Sequence, residues 1–372
     1  MNRILIVVLL AALIITGLYL NRSKIIRFGF QPISTSVEEG TTQEKAGSDI
    51  EVIAQNLNIP WEIVFLPARA GEASEMFVTE RPGNLLKIGT NKETIKIEGV
   101  AHIGEGGLLG LALHPNFAKN GFLYLYLTSR EGGQVTNRVE RYRLEGNRLF
   151  DKKIIVAGIK GSANHDGGRI RFGPDGFLYV TTGDAEQQNL AQDKISLNGK
   201  ILRVKDDGTG LEIYSYGHRN PQGLAWDDKG RLWATEHGPS GLQTGFDELN
   251  LIQKGQNYGW PVIRGDQTKS GMVTPVIQSG STDTWAPAGL VYLNGSLFFG
   301  GLRGESLYRA EILAGDKVNL KEHFKNEFGR IRAVVLGPDN YLYISTSNTD
   351  GRGKVQTGDD KIIRINPEIF KE

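Results

Sequence analysis

Six times along the chain a polar turn leads into a short run of aromatic and β-branched residues, with roughly 50 residues between successive copies. The clearest copies are Gly173-Pro174-Asp175-Gly176-Phe177-Leu178-Tyr179-Val180 and Gly337-Pro338-Asp339-Asn340-Tyr341-Leu342-Tyr343-Ile344. Between them stand Asp228-Lys229-Gly230-Arg231-Leu232-Trp233 and Asn294-Gly295-Ser296-Leu297-Phe298-Phe299. Ahead of them come Lys119-Asn120-Gly121-Phe122-Leu123-Tyr124 and the weaker Glu75-Met76-Phe77-Val78. Most copies are followed by a second strand signal, such as Lys200-Ile201-Leu202-Arg203-Val204 or Lys361-Ile362-Ile363-Arg364. A turn-strand-turn-strand unit at this period marks a β-propeller blade, so the chain is expected to be all-β, a six-bladed β-propeller.

Length and composition agree with one long all-β unit. The chain has 372 residues, with 48 Gly and 13 Pro, and all-β folds of this size often form a single domain. With 43 basic and 42 acidic residues the net charge is +1. No global field therefore favours nucleic acid or a strongly acidic partner. The absence of cysteine excludes disulfides, thiolate metal sites and a cysteine nucleophile.

The N-terminus carries the run Ile4–Leu20 behind Arg3, long enough to span a bilayer, which takes about 17–25 residues. It is expected to be a membrane anchor or an export signal over residues 1–20. No small-x-small cleavage site follows, which favours an uncleaved anchor. Arg22, Lys24 and Arg27 pull against an outside orientation. The domain is nonetheless expected on the exported side, periplasmic or extracellular. Residues 21–50 read as a tether, and residues 51–372 as the propeller. An early strand near Val52 is a candidate to pair with the last copy and close the ring.

Binding residues of a propeller sit on loops at one face of the central channel, so the segments that interrupt the repeat carry the functional signal. In Ser162-Ala163-Asn164-His165-Asp166-Gly167-Gly168-Arg169, His165 is either a satisfied loop histidine or a general base. The other histidines show no paired spacing for zinc. Arg219-Asn220-Pro221-Gln222 puts a planar cation and two amides on one turn, suited to a ligand rich in carboxylate and carbonyl oxygens, or simply to a stable turn. Arg330 and Arg332, two apart on a strand, share a face and await an anion or solvent. Arg303 is a further cation flanked by glycines. Asp247 and Glu248, after Gly238-Pro239 and before Asn257-Tyr258-Gly259-Trp260-Pro261, suit calcium or a solvated acidic loop. No phosphate loop, nucleotide fingerprint or serine nucleophile elbow is present.

Taken in order, Pro60-Trp61-Glu62, Glu80-Arg81-Pro82-Gly83, Gly106-Gly107-Leu108-Leu109-Gly110-Leu111-Ala112, Gly167-Gly168-Arg169, Arg219-Asn220-Pro221-Gln222-Gly223 and Asn257-Tyr258-Gly259-Trp260-Pro261 form a specific set. From about residue 52 to 366 the chain resembles the soluble aldose sugar dehydrogenases that use pyrroloquinoline quinone (PQQ), relatives of soluble quinoprotein glucose dehydrogenase. The resemblance implies a quinoprotein oxidoreductase that turns aldose sugars into lactones by hydride transfer from the anomeric carbon to the quinone. It implies His165 as the base, with Arg219 and Asn220 as the quinone-activating pair. Arg303, Arg330 and Arg332 would bind the cofactor carboxylates, with Gln222 and Glu105 nearby. Calcium would sit at Gly238, Pro239, Glu248 and Tyr258. Two positions depart from the family pattern: Glu105 stands where relatives carry Gln, and Arg303 where Lys is frequent. The sugar, the electron acceptor and the oligomeric state are not legible. The competing readings are a calcium-dependent propeller lactonase, which needs carboxylates ringing a metal, and a binding propeller without chemistry.

Overall fold

The repeated turn explains itself once its side chains are placed. In a computed structural model, which describes residues 37–40, 49–67, 75–239 and 245–371 together with Thr16, the turn at Gly173 closes through two backbone bonds. Gly173 N–H donates to Phe177 O (2.9 Å) and Gly176 N–H to Gly173 O (3.0 Å). The Asp175 carboxylate then gathers three donors: the Phe177 amide (3.2 Å), the Tyr179 hydroxyl (3.0 Å) and Arg203 Nε (2.8 Å). Arg203 comes from the next strand, opposite Tyr179, and its guanidinium lies 3.3 Å from the Phe177 ring centre. Asp339 repeats the device with the Tyr341 amide, the Tyr343 hydroxyl and Arg364, which lies 3.5 Å from the Tyr341 ring centre. Asp227 does the same with Arg231 and the Trp233 indole N–H. At Asp175 and Asp339 the aspartate thus fixes both the turn and the register of the third strand, while at Asp227 it ties the turn to the second strand.

Strand periodicity does the rest. Successive side chains point to opposite faces, and in a blade both faces are buried by neighbouring blades. Leu178 and Val180 pack with Tyr124 and Tyr126 of the preceding blade. Tyr179, with Phe177 alongside, packs with Leu224 and Trp226 of the following one. In the last copy Leu342 and Ile344 face one neighbour, while Tyr341 and Tyr343 face the other. Six apolar clusters result, one at each interface between adjacent blades.

Six antiparallel sheets form the ring. Blade 1 runs from Pro60–Phe65 to Lys92–Lys96, and blade 2 from Leu108–Leu113 to Arg148–Lys160. Blade 3 runs from Ile170–Phe172 to Glu212–Tyr216, and blade 4 from Pro221–Trp226 to Ile277–Gln278. Blade 5 runs from Pro287–Leu293 to Val318–His323. Blade 6 starts at Ile331–Leu336 and takes its outermost strand, Ile50–Ala54, from the beginning of the domain, paired with Ile362–Ile365. This is the closure expected near Val52. Asn366 seals it, donating from its amide to Asp49 O (2.7 Å) and from Nδ2 to Asp49 Oδ1 (2.8 Å).

Within the segment expected as a tether, Glu38–Glu39 add a short parallel strand to blade 5; two acidic residues give no strand signal, and the pairing is supplied by an open sheet edge. Apart from Thr16, the expected anchor lies outside the described residues. No helix among the described residues is long and apolar enough to cross a membrane. The innermost strands of five blades carry a register shift near their first residues, as at Pro60/Glu62, Pro221/Gly223 and Ile331/Val334. Such bulges re-aim side chains, and these lie at the channel mouth.

Asp339→Ala removes an acceptor shared by three donors. Three bonds of about 0.5–1.5 kcal/mol net each, discounted because the Asp339 side chain is 33% exposed, put the expected loss of stability at about 1–3 kcal/mol. Thermal unfolding reads this as a drop in Tm of several degrees; an unchanged Tm would contradict the role given to the turn aspartate.

Candidate functional site

Loops that enter the innermost strands meet, at one mouth, the turns that leave the second strands. His165 stands there with φ at 62°, a left-handed conformation that costs a non-glycine residue roughly 1–2 kcal/mol. The loop fits because glycines face it. A Cβ on Gly183 would lie 1.9 Å from His165 O, and one on Gly104 would lie 1.9 Å from Ala163 O. The His165 amide donates to Glu105 Oε2 (3.1 Å), and its carbonyl accepts from Ala185 N–H (3.2 Å). Its ring is set by Asp184, fully buried, whose Oδ1 lies 2.7 Å from His165 Nδ1. Asp184 also accepts from the Trp260 indole N–H (2.9 Å) and the Glu186 amide (2.9 Å). Bonded to a carboxylate, Nδ1 carries the proton, and Nε2 of the neutral ring is left as an acceptor.

Around His165 the mouth is lined with buried donors. Asn220 is fully buried, with Oδ1 accepting from Gly167 N–H (2.9 Å) and Nδ2 without a partner among the described residues. Arg219, next to it, donates from its amide to Glu236 and from its guanidinium to His237 O (3.3 Å). The Arg219 guanidinium lies 5.5 Å from the Trp260 ring centre. Arg332 donates to Gln222 Oε1, while its Nε has no acceptor among the described residues. Arg330 is paired with buried Asp350 (2.9 Å) and donates to Leu302 O (2.8 Å). Arg303 is half-buried nearby.

Electrostatics tie these groups into one cluster. Burial, reinforced by Arg81 and Arg330, pushes the Arg332 guanidinium down to about 9, with Asp350 and Glu105 opposing. Arg81, Arg219 and Arg303 are lowered in the same direction, chiefly by burial. Burial drives the His237 imidazole to about 3, with Arg332, Arg219 and His165 adding to it, so His237 is neutral, and its buried Nε2 has no partner among the described residues. Burial works against ionisation of Glu105, but Arg352, through its charge and its hydrogen bond, holds the carboxyl well below the usual carboxylate range. Guanidiniums that lower one another, beside amide and imidazole nitrogens lacking acceptors, fit an oxygen-rich anion. Beneath them Arg169 packs on Trp61 (4.2 Å to the ring centre), bonds Gln222 O (2.8 Å) and pairs with Glu62, tying blade 3 to blades 1 and 4.

The expected calcium loop is only partly assembled. Gly238 N–H donates to Asp247 Oδ1 (2.8 Å), and Asp247 Oδ2 takes Thr284, Trp285 and Ala286, so this carboxylate organises the loop. Glu248 accepts from Asn250 Nδ2 (2.9 Å); burial, then Glu236, pushes its carboxyl well up. The Tyr258 hydroxyl is committed to Leu251 O (2.7 Å) and the Gln253 amide (2.8 Å), leaving only its backbone for an ion. No group of three or more His, Cys, Asp or Glu side chains suited to a metal forms among the described residues. A cation here would rest on carbonyls and the Glu248 carboxylate, a donor set that suits calcium.

Three residues that shape this mouth escaped the sequence reading of candidate site residues. Asp184 carries a weak signal, an acid after Gly183 at the end of a strand. Arg81 stands inside a motif already noted and donates to Gly104 O. Arg352 lies in a polar loop and meets Glu105 at 2.6 Å.

Comparison with known proteins gives the same outline. A family model described as Glucose / Sorbosone dehydrogenase matches residues 57–363. Aldose sugar dehydrogenase YliI of Escherichia coli (strain K12) is 32% identical, over 82% of this chain and 91% of that protein. Quinoprotein glucose dehydrogenase B of Acinetobacter calcoaceticus is 31% identical, over 60% of this chain and 54% of that protein. The solved PQQ-bound form of aldose sugar dehydrogenase from Streptomyces coelicolor superposes with a TM-score of 0.76 at 39% identity, covering 87% of this chain and 98% of that one.

Asp166, next to His165 in sequence, supplies a test of the site's energetics. It is 2% exposed; Oδ1 accepts from Asn137 Nδ2 (2.8 Å) and Ser162 N–H (3.2 Å), while Oδ2 has no partner among the described residues. Burial raises its carboxyl from 3.8 to about 7. Between those values the folded state holds one more proton than the unfolded state, so stability falls as pH rises, by up to about 1.4 kcal/mol per pH unit. Asp166→Asn is expected to flatten the dependence of unfolding free energy on pH across this window. Equal slopes in the two proteins would contradict the assignment.

Proposed function

The chain belongs to the Glucose / Sorbosone dehydrogenase family, and from that premise we propose that it oxidises the anomeric carbon of aldose sugars to lactones with PQQ as the acceptor. The observation that carries this reading is His165, locked by buried Asp184 with Nε2 outward, beside Asn220 Nδ2 and Arg332 Nε, which lack acceptors among the described residues. The bound quinone supplies one chemistry, acceptance of the hydride that leaves the sugar C1.

The chain's own residues do the remainder. His165 Nε2 takes the proton of the anomeric hydroxyl as the C1–H bond breaks and the C1–O double bond of the lactone forms. Asp184 holds the proton on Nδ1 and stabilises the imidazolium that results, as in other carboxylate–histidine pairs. Arg219 and Asn220 present a guanidinium and an amide N–H to the oxygen on which charge develops; being already oriented, they need little reorganisation. Arg303, Arg330, Arg332 and Gln222 would hold the carboxylates of the cofactor. The same proposal places calcium on the Gly238 and Pro239 carbonyls with Glu248 and the Tyr258 backbone. It also places the domain on the exported side, tethered through Ile4–Leu20; membrane fractionation of cells treated with an impermeant lysine label checks that placement.

Purified apo-protein is expected to gain dye-linked aldose oxidation on addition of PQQ and calcium. His165→Ala should keep its quinone affinity and lose about 10²–10⁴-fold in kcat. A dependence on nicotinamide, or near-normal turnover by His165→Ala, would overturn the reading. Removal of calcium should lower Tm, and Glu248→Gln should weaken calcium binding; a Tm indifferent to verified metal removal would count against the ion.

A further inference from the structure

Two residues at the mouth are joined across 247 positions of sequence: Glu105, ahead of the innermost strand of blade 2, and Arg352, in the loop after the second strand of blade 6. Resting on the reading that a quinone fills this mouth, we propose that Glu105 and Arg352 are a positioning pair that holds His165 in its left-handed backbone conformation, and that Glu105 is not a cofactor ligand.

The bonding of Glu105 points this way. Oε1 takes Arg352 NH1 at 2.6 Å, and Oε2 takes the His165 amide at 3.1 Å. An ionised carboxylate only accepts hydrogen bonds, so it has nothing to donate to a cofactor rich in carboxylate and carbonyl oxygens. A glutamine in its place would have an N–H to offer. The substitution therefore changes what the position does: the side chain turns to the protein's own donors, and Arg352 offsets its charge. The pair is largely withdrawn from solvent, with side chains 14% and 21% exposed, so solvent screens it less than it would a surface ion pair.

Arg352 reaches the base from a second side. Its NH2 donates to Asn164 Oδ1 (2.9 Å), and Asn164 Nδ2 donates to Glu186 Oε1 (3.1 Å). The Glu186 amide donates to Asp184 Oδ1 (2.9 Å), the oxygen that also holds His165 Nδ1. Glu105 thus grips the His165 backbone while Arg352 steadies the residues that hold its ring. The Arg352 amide donates to Asp350 Oδ1 (2.9 Å), and Asp350 Oδ2 pairs with Arg330, so blade 6 ties the base to an arginine of the anion cluster. Blades 2, 3 and 6 are clasped together around one strained residue.

The pair is tested with Glu105→Gln, Arg352→Gln, the double variant and Asn164→Ala, each as the full chain. In apo-protein, without any quinone, amide hydrogen exchange over residues 162–166 should accelerate at least tenfold in either single variant. Unchanged exchange overturns the proposal, whatever the enzyme turns over. In quinone-loaded protein, kcat should fall about tenfold or more in each single variant. KM for the aldose, and quinone affinity from tryptophan fluorescence, should stay within about threefold. The double variant should be no worse than the weaker single, because both substitutions break one tie. Asn164→Ala, which spares the ion pair, should show a smaller loss of kcat. A tenfold loss of quinone affinity in Glu105→Gln with kcat retained would make Glu105 a cofactor ligand, and multiplicative losses in the double variant would make the two residues independent; either overturns the pairing. Absence of quinone binding in the unmodified protein would instead sink the proposed function, leaving the exchange measurement to decide the pair.

Discussion

Closing six blades into a ring forces arginines from distant parts of the chain into one poorly hydrated mouth, and the rest of the site is arranged around that constraint. Burying a guanidinium is tolerable when its donors are met. Asp350 meets Arg330 and Glu105 meets Arg352, while Glu62 meets Arg169 but leaves its NH2 without an acceptor among the described residues. Arg332 is met only in part, by Gln222. Its Nε, the Arg81 Nε and the Asn220 amide nitrogen remain without acceptors among the described residues. Such a surface holds its dipoles fixed before any ligand arrives, so a ligand with oxygens in the right places gains interactions that water does not supply as well.

His165, the proposed base, follows the same logic at shorter range. Imidazole accepts a proton only at the nitrogen that does not already carry one, so something must fix the tautomer. Asp184 does this from a fully buried position, held in turn by the Trp260 indole and the Glu186 amide. The left-handed backbone of His165 is the cost of aiming Nε2 outward, and the glycines at 104 and 183 leave room for the loop to take that shape. Rigid support from several blades is what a propeller offers a site built on loops.

The fold was largely legible because its signal is local. A turn aspartate, an aromatic two residues on and a tyrosine four residues on are close enough in sequence to be read as a unit, and the unit recurs at Asp175 and Asp339. The closing strand was legible as an unpaired apolar run near Val52. Glu38–Glu39 were not, since their pairing depends on a free edge on blade 5. In the candidate site, His165, Arg219 and Asn220 stood out by type and by glycine-rich surroundings, and Arg332 by its place two residues from Arg330 on a strand. Asp184, Arg81 and Arg352 did not, because each is defined by a partner on another loop or another blade, and nothing periodic links residues 105 and 352. Tyr258 shows the converse limit: the motif located it, while its hydroxyl serves its own loop.

The central claim is that the arginine cluster is built for a carboxylated quinone. Calorimetric titration of the apo-protein with PQQ, comparing the unmodified chain with Arg332→Gln, tests it most directly. The account predicts one-to-one binding by the unmodified chain, and binding weaker by at least tenfold in the variant. Equal affinities in the two proteins, or no heat of binding in either, would contradict it.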